Sequence, residues 1–501
     1  MYMKIIITFT TYFIRMKTII TILKIITINL ILLFIFDNNL RAQTTEKFLI
    51  GNWMGKIDIQ GTKLSVVIRF NFNEKDSLIA VMDSPDQGAK DIPVSKLTLR
   101  NDSVFIRLKQ LNVTIGGLLN KKDSTINGTF KQSIVSCPLI LKKVEKVPTL
   151  NRPQEPKPPY PYKVTEVSFK NTKDSITLAG TLTLPEKGDK FPVVIMITGS
   201  GPQNRDEELL GHKPFLVIAD YLTRQGIAVL RYDDRGIGKS KGDFTKATSF
   251  DFANDVEAAI NYLKQHPNID VTKIGLIGHS EGGLIAPIVA SRNKDVNFIV
   301  LLAGPGLSGY QIILKQSALI SRAEGTDEKT IKDNNKFSEK IYKILKDEPD
   351  NTKAGKEIKE YYLKEIKKLS KEEKEKSGLS EANADIMITQ VTSKWFRTFL
   401  FTDPQPYLSK VKCAVLALNG EKDLQVPPDE DLAAIESALK KAGNTNYKTL
   451  KLPGLNHLFQ HCTNGSPSEY STIEETISPE VLKIISEWIH RTVIQGMIIE
   501  D

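Results

Sequence analysis

Residues 274–290 read IGLIGHSEGGLIAPIVA, and how they are read decides the fold. The opening residues are apolar or glycine, as in a strand buried on both faces. The closing residues suit a helix. Between them stands Gly278-His279-Ser280-Glu281-Gly282, a G-x-S-x-G pentapeptide. A nucleophilic serine has to stand clear of the backbone on a sharp strand-to-helix turn. Glycines beside it remove the Cβ atoms that would clash there. A plain tight turn can carry the same letters, so the flanking sequence must decide. Pro287 offers no N–H to the carbonyl of Gly283, so a local kink is expected in the helix.

Outward from this stretch, apolar runs alternate with amphipathic ones. VTEVSFKN (164–171) and ITLAGTLTLP (176–185) suggest a hairpin. FPVVIMITG (191–199), IAVLRYD (227–233), KIGLIG (273–278) and NFIVLLAG (297–304) read as strands. Helical runs FLVIADYLTRQ (215–225), FANDVEAAINYLKQ (252–265) and GGLIAPIVAS (282–291) separate them. This alternation predicts an α/β fold: a mostly parallel sheet with helices on both faces. It spans residues 163–306 and stops near Leu307. Residues 307–409 are rich in Lys and Glu with helical spacing, and read as an inserted helical cap. Trp395, Phe396 and Phe399 near its end either line a substrate pocket or pack the cap onto the body, and the sequence leaves both open. The sheet resumes in 410–501 with CAVLALNG, YKTLKLPG and a terminal helix.

A serine hydroxyl needs a base to take its proton, and the base needs an orienting acid. In a fold of this kind the chain order is Ser, then Asp or Glu, then His. Three histidines follow Ser280. His457, in a loop just after the last predicted strand, is where a base belongs. His461 is the runner-up, and His490 lies on the terminal helix. Asp423 sits in the loop after CAVLALNG, with Glu421 as the alternative acid. An oxyanion hole needs backbone N–H donors. Glu281 directly follows the serine and supplies one, and Ser200, or else Gly201, supplies the other from the loop TGSGPQNRD. That loop lacks the ending of a phosphate-binding loop, and there is no dinucleotide fingerprint. Asp233, Asp234 and Arg235 in RYDDRGIGKSKG read as groups that shape a loop.

The rest of the chain frames this core. Residues 1–42 hold Arg15, Lys17 and Lys24, an apolar run IITINLILLFIF and a small Ala42, the pattern of a secretory signal peptide with Met16 as its natural start. An uncleaved anchor is the rival, but Lys24 breaks the run and it is short for a span. Residues 48–146 alternate apolar and polar residues between Asn, Asp and Gly turns, predicting a small all-β domain, a barrel or sandwich plugged by Trp53. Residues 147–162 are too proline-rich for a helix or central strand and read as an extended linker. The net charge of +9 is scattered among acidic residues, which argues against a nucleic-acid partner. The three cysteines, Cys137, Cys413 and Cys462, have no metal-like spacing.

Taken together, GSGPQNRD, RYDDRGIGKSKG, GHSEGG, WFRTFLFTDP, NGEKDLQVP and GLNHLFQ resemble secreted bacterial α/β-hydrolases of the serine-aminopeptidase and dienelactone-hydrolase-like group, including two-domain carboxylesterases. The resemblance covers about residues 163–495. It implies an α/β-hydrolase fold with Ser280 as nucleophile, Asp423 as acid and His457 as base. One departure is Asn204, where the pattern usually has Asp. The resulting expectation is a periplasmic or extracellular serine hydrolase that cleaves small carboxylic esters through an acyl-enzyme. It needs no metal or organic cofactor and keeps no stable membrane insertion after signal cleavage. The first rival is a serine aminopeptidase acting on short peptides, with the Glu281 side chain, or an acid of the cap, capturing the α-amino group. The second is a catalytically inactive hydrolase fold used for binding.

Overall fold

The structure is a computed structural model that describes residues 45–496, apart from 60–61, 88, 133–134, 148–150, 371–372 and 375–378. The predicted signal segment, 1–42, lies outside the described residues. The chain divides into two units, Met1–Thr149 and Leu150–Asp501.

In the first unit, alternating side chains form nine antiparallel strands: β1 (Gly51–Ile59), β2 (Thr62–Phe72), β3 (Leu78–Ser84), β4 (Ala89–Pro93), β5 (Lys96–Arg100), β6 (Ser103–Leu108), β7 (Val113–Asn120), β8 (Thr125–Gln132) and β9 (Val135–Val144). They form one curled sheet in which β1 pairs with both β2 and β9, leaving β4 and β5 as its ends. Inward residues such as Phe70, Ile106, Ile126 and Leu139 fill the curl. Trp53 is fully buried among them, and its indole N–H donates to the Leu49 carbonyl.

The second unit is built on an eight-stranded sheet: β10 (Tyr162–Asn171), β11 (Ile176–Pro185), β12 (Phe191–Ile197), β13 (Ala228–Tyr232), β14 (Ile269–His279), β15 (Phe298–Leu302), β16 (Ala414–Gly420) and β17 (Tyr447–Leu452). The order is β10-β11-β13-β12-β14-β15-β16-β17, parallel from β13 onward. Its central runs are apolar throughout because both faces are covered. Along β12, Val193, Ile195 and Ile197 enter one core while Val194 and Met196 enter the other. On the second face lie α1 (Pro214–Arg224), through Phe215 and Leu222, and the terminal helix (Pro479–Ile489), through Val481 and Ile485. On the first face lie α2 (Ser249–Lys264) and α3 (Glu281–Ala290), the helix containing Pro287.

Between β15 and β16 run α4 (Gly309–Ala323), α5 (Glu328–Asp347), α6 (Asn351–Lys368), α7 (Ala384–Val391), α8 (Lys394–Phe401) and α9 (Gln405–Leu408). Their own core contains Ile341, Leu345, Ile358 and Phe396. The insert leaves and rejoins the body at one place, where the Gly309 N–H donates to the Thr402 carbonyl. After the insert, α10 (Pro428–Lys441) crosses from β16 to β17, and the terminal helix becomes α11 in chain order. Within the proline-rich stretch, Arg152 and Gln154 are bonded to later segments of the second unit. Arg152 donates to the carbonyls of Leu210 and Ile473, and Gln154 donates to that of Ile477.

Candidate active site

Ser280 sits between β14 and α3 with φ 52° and ψ −117°. A residue with a Cβ rarely holds this geometry, at a cost of about 1–3 kcal/mol. The neighbours over-determine it. The Ser280 N–H donates to the Leu302 carbonyl, and the Gly283 N–H donates to that of Ser280. A Cβ on Gly278 would lie 2.1 Å from the Gly282 carbonyl oxygen, and one on Gly282 would lie 2.1 Å from that of Ile197. These two glycines are required by close backbone approach, and the serine is thrust out at the C-terminal edge of the sheet.

Two later strand ends bring the other partners. Asp423, after β16, and His457, after β17, are both buried, and His457 Nδ1–H donates to Asp423 Oδ2 at 2.8 Å. Asp423 Oδ1 accepts from the backbone N–H groups of Gln425 and Val426. Ser280, His457 and Ser200 line a single pocket together with Leu209, His212 and Thr476. Among the described residues no hydrogen bond joins Ser280 Oγ to the His457 ring, and contacts of this kind tighten when substrate arrives. His212, on the pocket wall, bonds Thr476 Oγ1, and burial pulls its pKa down to about 4.

The alternative residues lie elsewhere. His461 is exposed and paired with Glu475, while His490 bonds the Gln225 carbonyl. Glu421 accepts from the Gly454 N–H. Asp233 holds Arg205, Asp234 accepts from Thr198 and Gln203, and Arg235 clamps Asp255, so this loop is tied to the segments around it. Burial lifts the Asp234 carboxyl to about 8.

Two expectations need correction. Trp395, Phe396 and Phe399 do not line the pocket. Phe396 is buried in the core of the insert, Phe399 in that of the body, and Trp395 stacks on Phe399 at 5.7 Å. Trp395 and Phe399 therefore pack the insert onto the body, while Phe396 packs within the insert, because amphipathic helices bury their rings against whatever apolar face is at hand. The Glu281 side chain is also unavailable to a substrate amine. It is buried and accepts from Ser249 Oγ at 2.6 Å and from Trp395 Nε1 at 2.9 Å. Burial raises its pKa despite those donors. The Trp395 contact spans the insert and the body, and no local signal in the sequence announces it.

The sheet order and the strand–serine–helix elbow define the class: this is a serine hydrolase of the α/β-hydrolase type. Residues 214–461 match the family model described as serine aminopeptidase, S33. Esterase EstD of Thermotoga maritima is 25% identical over 370 residues, spanning 72% of this chain and 77% of EstD. Acyl-coenzyme A thioesterase 1 of Homo sapiens is 30% identical over 127 residues, which span 25% of this chain and 26% of the thioesterase. Among solved structures, Est1E from Butyrivibrio proteoclasticus bound to ferulic acid has a TM-score of 0.38 at 18% identity, covering 66% of this chain and 99% of that one. No helix of the described residues is long and apolar enough to cross a membrane.

Proposed function

We propose that this chain hydrolyses carboxylic esters, with Ser280 as nucleophile, His457 as general base and Asp423 as the acid that orients it. The observation that carries this reading is the buried 2.8 Å bond from His457 Nδ1 to Asp423. It leaves Nε2 of the ring for the pocket that Ser280 lines. Ser280 Oγ attacks the acyl carbon and its proton passes to His457 Nε2. The tetrahedral oxyanion takes hydrogen bonds from the N–H groups of Ser200 and Glu281. Glu281 is the first residue of α3, where helical N–H groups lack intrahelical partners and the dipole favours negative charge. His457 then protonates the departing alcohol. Water, deprotonated by the same ring, releases the acyl group from Ser280. The similarity to an esterase over most of both chains supports the ester as substrate. The aminopeptidase reading loses one of its two proposed amine anchors, since both Glu281 oxygens are bound to Trp395. We also propose export through residues 1–42, on the sequence pattern alone.

The test compares p-nitrophenyl acetate and butyrate with aminoacyl-anilides, using Ser280→Ala as control. Ester turnover should fall by roughly 10³-fold or more in Ser280→Ala. Turnover of anilides alone would sink the esterase reading. A Ser280→Ala variant as active as wild type would sink the assignment of the nucleophile.

A further inference from the structure

The residue before the serine belongs to none of these steps. His279 is buried, and both of its ring nitrogens face acceptors. Nδ1 lies 3.0 Å from Glu207 Oε1, and Nε2 lies 3.0 Å from the backbone carbonyl oxygen of His457. A neutral imidazole has one N–H, so donating to both acceptors takes an imidazolium. Burial by itself pulls the His279 pKa down, but Glu207 and the His457 carbonyl outweigh it and hold the pKa above its ordinary value. Glu207 Oε1 also accepts the Gly199 N–H at 2.6 Å, one residue before Ser200. Gly199 sits at the meeting point: a Cβ there would lie 3.2 Å from Glu207 Oε1, 3.3 Å from Ser280 Cβ and 3.5 Å from His279 Nδ1. The His279 and His457 rings are 4.9 Å apart.

We infer that Glu207 and His279 form one buried positioning pair, which sets the loop bearing Ser200 and the loop bearing His457 against the Ser280 elbow at the same time. The inference rests on reading Ser280 and His457 as nucleophile and base. The pair acts through the Gly199 N–H and the His457 carbonyl, that is, through the backbones of the residues that do the chemistry. Without it, each loop keeps its own turn but loses the contact that registers it to the other.

The experiment measures Glu207→Gln, His279→Gln and the double variant in the full chain on p-nitrophenyl acetate, with thermal melts of each. Each single change should lower kcat roughly 10- to 100-fold, the scale of a misplaced catalytic geometry, and leave KM nearly unchanged. The double variant should lose no more than the worse single, because the two act as a unit. Wild-type kcat in both singles, or losses that multiply in the double, would overturn the proposal. So would a kcat loss that disappears once corrected for the folded fraction. If Glu207→Gln does not fold, Glu207→Asp takes its place. It keeps the charge but stops a methylene short of Gly199, and undiminished kcat there also overturns the pair. Fluorophosphonate labelling separates the two readings. A wild type that labels no better than Ser280→Ala removes the triad. A labelled wild type with an unimpaired Glu207→Gln removes only the pair.

Discussion

At Asp423 the two carboxylate oxygens have separate duties. Oδ1 takes two backbone N–H groups, and Oδ2 takes the His457 Nδ1–H. This makes Asp423→Asn a sharp probe. The amide oxygen can replace Oδ1 toward Gln425 and Val426, which turns the NH₂ toward His457. A donor facing Nδ1 forces the proton onto Nε2, the atom that accepts from Ser280 in the proposed mechanism. We expect kcat to fall by about 10³- to 10⁴-fold while the melting temperature moves little, since the backbone contacts survive. Esterase kinetics with a parallel melt check this, and an Asp423→Asn enzyme with near-wild-type kcat would remove Asp423 from the mechanism. At this scale the sequence was informative wherever chemistry leaves a local pattern. The glycines around Ser280 and the loop positions of Asp423 and His457 could be read from letters and strand ends. The His279–Glu207 contact could not, since its partners are 72 residues apart and each alone is an ordinary polar residue.

At the scale of elements, α10 pins the point where the chain leaves the sheet for the insert. Asp431 Oδ1 accepts the Gly306 and Leu307 N–H groups, while Oδ2 is buried with no partner among the described residues. Burial raises this carboxyl from its ordinary 3.8 to about 7. The folded state therefore holds a proton that the unfolded chain has released. The stability from this group is complete below about pH 3.8 and is lost as pH rises toward 7. The slope is about 1.4 kcal/mol per pH unit across that window. Asp431→Asn keeps the oxygen that receives the two N–H groups and cannot ionise. Urea unfolding midpoints of the variant should gain on those of wild type between pH 4 and 7, and a parallel pair of curves would show that Asp431 does not titrate there. The strands and helices of the body were legible because buried runs such as 193–197 and the amphipathic helices carry their own periods. The role of α8 was not. Periodicity marks an apolar face without saying what covers it, so Trp395, Phe396 and Phe399 fitted pocket and packing equally well. Only the fold, which brings Trp395 to Glu281 across 114 residues, decides for packing.

At the scale of the molecule, every residue lining the pocket lies in the unit Leu150–Asp501, from Gly199 to Thr476. The all-β unit closes its own core around Trp53 and Phe70. Catalysis should therefore survive without the first unit, provided that the cut spares the clamp formed by the proline-rich stretch. Arg152 donates to Leu210 and Ile473, and Gln154 receives the Thr476 N–H while donating to Ile477. These contacts brace two segments that carry pocket residues, Leu209 and His212 on one and Thr476 on the other. A fragment of residues 151–501 keeps the clamp and should retain kcat/KM within about threefold of the full chain, a difference of roughly 0.6 kcal/mol. A fragment of residues 162–501 loses at least four hydrogen bonds of about 1 kcal/mol each. It should melt several degrees lower and show a raised KM, because the pocket wall is no longer held. Steady-state kinetics and melts of the two fragments decide the matter. A folded but inactive 151–501 fragment would mean that the all-β unit contributes to catalysis. A 162–501 fragment indistinguishable from 151–501 would mean that Arg152 and Gln154 hold nothing that the pocket needs.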